Sequence, residues 1–322
     1  MVSATQWWGL WRSNLTTFIP PLSGCRIRYV PYSLEFSAPG DRRRFVYYAK
    51  KRGIDIEVAD INKEYDVVVL SERADISLWC KWQGGKIVYD LIDPYLAIPP
   101  DGWKARLRGI AKYFFGQSRY LQLNYRDAVI NMCCRADAVI CTTEEQKRDI
   151  GAYCGNTHIV LDIHKMLVTE HKLDYKPHDP FRLVWEGLPV NSSSLDLLVQ
   201  VIDSVSQKMP VELVAITDRQ YYRYLGSIGR TRADKSIERL SPNFRWREWH
   251  ESNLAANITK CDLAVIPLDL QDPFASGKPE NKLLLFWYLG MPVLTSATPA
   301  YRTAMQNAGL DLYPKSCNQM KQ

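Results

Sequence analysis

The sequence predicts an α/β protein of two domains, each a parallel β-sheet covered by helices, with a cleft between them. Three observations carry this reading. Apolar, β-branched runs alternate with helix-forming segments along most of the chain, the pattern of strand–helix–strand crossovers. One of those runs, Asp262 to Leu268, is apolar and β-branched enough to belong inside a covered sheet. At 322 residues, 46% hydrophobic and 24% charged, the chain is long enough for two cores. A polar segment with two prolines, Lys172 to Pro180, is the expected linker and sets the domains at 1–176 and 177–322.

The amino-terminal half opens with a strand from Arg26 to Tyr32, after Gly24. A helix beginning near Gly40 runs through Asp41, Arg42, Arg43 and Arg44 into FVYYAKKRG and stops at Gly53. IDIEVAD, YDVVVLSE and KIVYDLID follow as strands. In ADAVICTTEEQKRDIGAYC a strand runs into Thr142 and Thr143, with Glu145 and Gln146 three residues after each, the spacing of a capping box. NTHIVLDIH supplies one more short strand.

The second half restarts with FRLVWEG, then a helix in NSSSLDLLVQVIDSV capped by Asn191 or a following Ser, then VELVAITD. Asp262 to Leu268 reads as a buried strand and Asn281 to Leu289 as a buried helix ended by Gly290. The loop between them suits an anion. Pro279 fits a first helical turn, and the amides of Glu280, Asn281 and Lys282 would point into the loop at the positive end of the helix dipole. Lys278 and Lys282, four residues apart, add two cations. A diphosphate fits this set best, although lysines at the mouth of a helix also serve solubility alone.

Other classes lose ground. No G-x-G-x-x-G follows either opening strand, and there is no Walker A, H-E-x-x-H or G-x-S-x-G sequence. A net charge of +6 is modest at this length and gives no case for nucleic acid. Eight cysteines without C-x-x-C spacing fit reduced thiols, with Cys133 and Cys134 suited to core packing rather than zinc. No run is long enough to span a bilayer, and the start MVSATQWWGLWRSNL lacks signal-peptide character, so a cytoplasmic location is expected. Trp103 to Arg126 mixes basic and aromatic residues at helical spacing. It either packs its aromatics on the core or lies on an anionic membrane at the inner face.

The run K-P-E-N-K, an apolar helix, G-M-P-V, a short strand and Thr298-Pro299-Ala300-Tyr301 resembles, in that order, the donor-binding half of GT-B glycosyltransferases of the retaining, group 1 type. The resemblance is strongest from Phe181 to Tyr301. It implies two Rossmann-like domains facing a central cleft, and transfer of a hexose from a nucleoside diphosphate sugar to a glycan, lipid-linked or small-molecule acceptor. Polysaccharide biosynthesis is the setting it suggests, with no cofactor and no metal. Gly187 in W-E-G resembles the glycine turn near the phosphates, and Trp249 in FRWREWH the segment beside the base. With Lys278, Glu280, Asn281 and Lys282 these are the expected donor-binding residues.

The departures are equally specific. Two Glu that many retaining members carry fall at Gly277 and Leu285, and a family His falls at Ile92 in Tyr89-Asp90-Leu91-Ile92-Asp93. Glu280, at a different offset, is the substitute carboxylate. Asp93 or Asp90, each at a strand end, is the candidate base if the sugar centre inverts; the resemblance favours retention, in which the departing phosphate takes the proton. Asp41, Arg42 and Arg43 are the candidate acceptor-binding residues. The sequence ends in DLYPKSCNQMKQ, where proteins of this fold usually continue, so a shortened product or a fragment is expected. The alternative function is a sugar-nucleotide binder or assembly partner that kept the fold without the chemistry.

Overall fold

The computed structural model describes residues 24–99, 111, 113, 118–224 and 228–310. The aromatic amino terminus, most of the Trp103 to Gln117 stretch and the DLYPKSCNQMKQ tail lie outside the described residues. Two five-stranded sheets organise the chain, both wholly parallel. The first joins β1 (Ile27–Val30), β2 (Val67–Leu70), β3 (Lys86–Asp90), β4 (Ala138–Cys141) and β5 (Thr157–Ile159) in sequential order. The second has the order β10-β7-β6-β11-β12, from β6 (Phe181–Glu186), β7 (Val211–Thr217), β10 (Phe244–Glu248), β11 (Leu263–Ile266) and β12 (Val293–Thr295). An antiparallel pair, β8 (Gln220–Tyr224) and β9 (Ile228–Arg232), stands apart from both. No helix among the described residues is long and apolar enough to cross a membrane.

Each sheet has its own core, because strands buried on both faces need apolar cover from the helices that connect them. In the first half Val68, Leu70, Ile87, Tyr89 and Val139 pack against Val129 and Met132 of the Tyr125–Arg135 helix. In the second, Ala264 and Ile266 pack against Leu283, Leu285 and Phe286 of the Asn281–Tyr288 helix. Cys133 is buried in the first core while its neighbour Cys134 is exposed, as adjacent helical positions point differently.

Several elements differ from expectation for local reasons. The helix expected through Arg44 is two, Pro39–Arg43 and Phe45–Arg52, broken where Arg44 leaves helical geometry to bury its guanidinium. Gly53 ends the second with φ 64°, as expected of a left-handed cap. IDIEVAD forms only one bridge, Val58 beside Tyr29, rather than a strand. The NSSS segment winds into a 3-10 turn over Pro189–Leu195, and the α-helix Asp196–Ser206 begins without a side-chain cap, so neither Asn191 nor the serines cap it. The capping box is real but offset. Thr143 Oγ1 accepts from Gln146 N, while Gln146 Oε1 accepts from the amide of Thr142 rather than Thr143.

Candidate functional site

In the second sheet the chain goes from β6 outward through β7 to β10, then returns to the other side of β6 as β11. The connections leaving β6 and β11 therefore diverge, and ligands of parallel sheets bind beyond the carboxyl ends at such a point. β6 ends in Glu186, and β11 leads through the Pro273–Ser276 helix into Lys278 and the Asn281–Tyr288 helix. An apolar cavity of about 290 Å³ lined by Phe181, Val211 and Leu263 opens at the opposite, amino ends of these strands and has no polar lining.

Glu186 is 6% exposed and anchors the site. Its carboxylate accepts from Trp249 Nε1 at 3.0 Å and from the Lys282 ammonium. Lys278 Nζ donates to Asn191 Oδ1 at 3.3 Å, which explains what Asn191 does in place of capping. Asn281 faces the first lobe, where its Oδ1 accepts from the amide of Asp162 at 3.4 Å. Glu280 caps the helix without a side-chain bond. Burial raises its carboxyl pKa above the usual value, and the charge of Glu145 in the first lobe adds to the rise. Gly187 lies beside the ring of Trp185, which a Cβ there would approach to 2.7 Å.

The first lobe meets this wall at several points. Tyr95 packs on Phe274 with ring centroids 5.5 Å apart, and Arg42 pairs with Glu251. Ile163 N donates to the carbonyl of Arg43, and Arg44 Nη1 donates to Val160 O and Asp162 Oδ1, so residues 160–163 are strapped to the Pro39–Arg43 helix. Lys278 and Lys282 thus adjoin Gly277 and Asn281, the positions of this segment that touch Pro94 and Asp162 of the first lobe.

The amino-terminal candidates separate clearly. Asp41 was expected to face the cleft, but it is fully buried and holds the loop after β1: its oxygens accept from Tyr29 Oη, the amides of Tyr32 and Ser33, and Ser33 Oγ. Asp90 gives both oxygens to Arg44, at 2.6 and 2.7 Å. Burial opposes the Arg44 charge, but Asp90 and Asp162 outweigh it and hold the guanidinium above its usual pKa. Asp93 sits on the loop beyond β3, its amide donating to Glu72. Thr142 Oγ1 and Gln146 Nε2 both donate to the carbonyl of Ile92 and fix that loop.

Sequence reasoning missed Glu186 and His164. The first was hidden inside W-E-G, where only the glycine drew notice, and the second closed a strand segment with no motif around it.

The sequence matches no family model and no curated protein. Solved structures do match. A TarM variant from S. aureus, determined with fondaparinux, alpha-GlcNAc-glycerol and UDP, aligns with a TM-score of 0.52 at 14% identity, over 85% of this chain and 49% of that one. The fold is that of the GT-B glycosyltransferases. A UDP-forming alpha,alpha-trehalose-phosphate synthase from Burkholderia vietnamiensis overlaps with a TM-score of 0.49 at 13% identity, covering 79% of this chain and 61% of that one. The chain therefore spans about half the length of the TarM chain. In GT-B terms the two sheets are the two Rossmann-like lobes, and the lysines belong to the carboxyl-terminal one.

Proposed function

We propose that this chain transfers a hexose from a nucleoside diphosphate sugar, held mainly by the carboxyl-terminal lobe, to a glycan, lipid-linked or small-molecule acceptor. The observation that carries the reading is the position of Lys282. It stands at the head of a helix beside the divergence of β6 and β11, held by buried Glu186.

The chemical task is to stabilise a departing diphosphate. As the bond between the sugar carbon and the phosphate oxygen breaks, negative charge grows on the leaving group. Lys282, Lys278 and the first amides of the Asn281–Tyr288 helix offset it from fixed positions. That set asks for no metal. In this reading Trp249, tied to Glu186, lines the nucleotide side, and Gly187 lets the backbone after β6 pass close by.

Retention is the preferred outcome. Asp90 is occupied by Arg44, so it is withdrawn as a base and Asp93 alone stands for the inverting case. Under retention the departing phosphate receives the acceptor proton. On the acceptor side Arg42 and Arg43 remain the candidates, since the Asp41 carboxylate is spent on its own loop.

A second reading, a sugar-nucleotide binder without turnover, is favoured by one feature. Gly277 packs on Pro94, and Leu285 is fully buried in the core, so neither position offers a carboxylate. The test is to measure transfer and donor hydrolysis with UDP, GDP and dTDP sugars, alongside nucleotide binding, in wild type and Lys282→Ala. Turnover lost with Lys282 supports the transferase; tight binding without turnover on any acceptor supports the binder. A folded Lys282→Ala that binds every nucleotide as wild type does would remove the phosphate role.

A further inference from the structure

The segment between β5 and the 3-10 turn Lys165–Leu167 contains an imidazole that the reading above does not use. His164 is 7% exposed, and among the described residues neither ring nitrogen has a hydrogen-bond partner. Buried polar groups are nearly always paired, so a side chain with two unpaired nitrogens asks what completes it. Its backbone is fixed. The His164 carbonyl accepts from Leu167 N at 2.8 Å, and the preceding residues are held by Arg43 and Arg44 from one lobe and by Asn281 from the other. The residue therefore sits on a segment fixed by contacts to both lobes, two positions from the Asp162 amide that meets Asn281.

Charged groups on four segments act on it electrostatically. They are Asp162 on its own segment, Arg43 on the Pro39–Arg43 helix, Lys282 on the Asn281–Tyr288 helix, and Glu186 at the end of β6. Lys282 is paired with Glu186, and Asp162 is engaged by Arg44. Arg43 has no ion pair among the described residues. The local field around the ring thus has room for an added anion. Burial, the largest cause, pushes the imidazole pKa down to about 4, so the ring is neutral near pH 7, with one N–H to donate and one lone pair.

We propose that His164 is a ligand-contacting residue of the crevice, whose ring N–H donates a hydrogen bond to a phosphate oxygen of the bound diphosphate. This rests on the proposed donor site but goes beyond it, because it places a group from the first lobe on the same phosphates as Lys282. The diphosphate would then be held from both lobes, and its arrival would complete a buried group that has no partner among the described residues.

The test uses His164→Phe, which fills the same space without ring nitrogens. Calorimetric titrations of wild type and variant use inorganic pyrophosphate, UDP, GDP and dTDP, with the parent nucleosides as controls. In parallel, the histidine ring nitrogens of the wild type are followed by NMR during pyrophosphate addition, the His164 signals being those absent from the variant or from His164→Gln. The expected result is pyrophosphate binding at least tenfold weaker in His164→Phe, nucleoside binding unchanged, and a shift of the His164 ring signals in the wild type. Wild type that binds pyrophosphate while the variant binds equally well, or while the His164 signals stay fixed, overturns the inference and leaves the donor site standing. Wild type that binds neither pyrophosphate nor any nucleotide overturns both. Should His164→Phe fail to fold, the wild-type ring signals, assigned through His164→Gln, decide.

Discussion

The ammonium of Lys282 donates to the carboxylate of Glu186, a residue 96 positions away that is buried at the carboxyl end of β6. The pair joins the two chain segments that diverge at the sheet's switch point. It also fixes the position of the lysine, because Glu186 is itself held by Trp249.

Removing the cation leaves Glu186 buried with one partner fewer, at an expected cost of about 1–3 kcal/mol. Lys282→Ala is therefore predicted to be less stable by that amount in urea denaturation. Adding Glu186→Gln in the same chain should recover most of the loss, since the orphaned charge is gone. Equal stability of wild type and Lys282→Ala would mean that the pair is not formed in solution.

Asp90 and Asp93 should behave differently although they lie three residues apart. Asp90→Asn breaks a buried ion pair with Arg44 and is expected to cost about 3–5 kcal/mol, so any loss of activity follows loss of structure. Asp93→Asn should change stability by no more than about 1 kcal/mol. With retention its turnover stays within a few-fold of wild type, whereas a drop of about 10²–10⁴ would mark an inverting reaction with Asp93 as base.

Much of this was legible in the sequence. Continuous apolar runs announce strands buried on both faces, and all but one of the expected strands formed. IDIEVAD did not: it makes a single bridge, Val58 beside Tyr29. The loop carrying Lys278 and Lys282 was also visible, since proline, an apolar helix and a terminal glycine are local signals. What pairs with it was not. Glu186 with Lys282, Arg44 with Asp90 and Asn281 with Asp162 join positions far apart in the chain, and no local pattern reports them. Asn191 shows the same limit: its residue type suits a cap, but tertiary contact assigns it to Lys278.

Gly277 tests the contact between lobes. Its φ of −81° is ordinary, so only space limits substitution, and an added Cβ would come within 2.9 Å of Pro94 Cβ. Gly277→Ala is predicted to lose about 1–3 kcal/mol through overpacking, read as a lower melting temperature. An unchanged melting temperature would show that the lobes do not close on each other here.

Acid stability should carry the signature of His164. Its folded-state pKa of about 4 lies below the ordinary 6.5, so the unfolded chain binds the proton first. The penalty is absent above about pH 6.5, grows as pH falls, and is complete near pH 4, where it amounts to about 3 kcal/mol. His164→Phe should remove that part of the acid slope and leave stability at pH 8 equal or higher. Identical slopes in the two proteins would place the imidazole in solvent.

The central claim is tested most directly by a crystal structure with a bound nucleoside diphosphate, UDP, GDP or dTDP, whichever binds. The account predicts the phosphates between the lobes, within hydrogen-bond distance of Lys282 Nζ and the first amides of the Asn281–Tyr288 helix, with the base on the Trp249 side. Phosphates bound elsewhere, with Lys282 still paired to Glu186 and no ligand in the crevice, would contradict it.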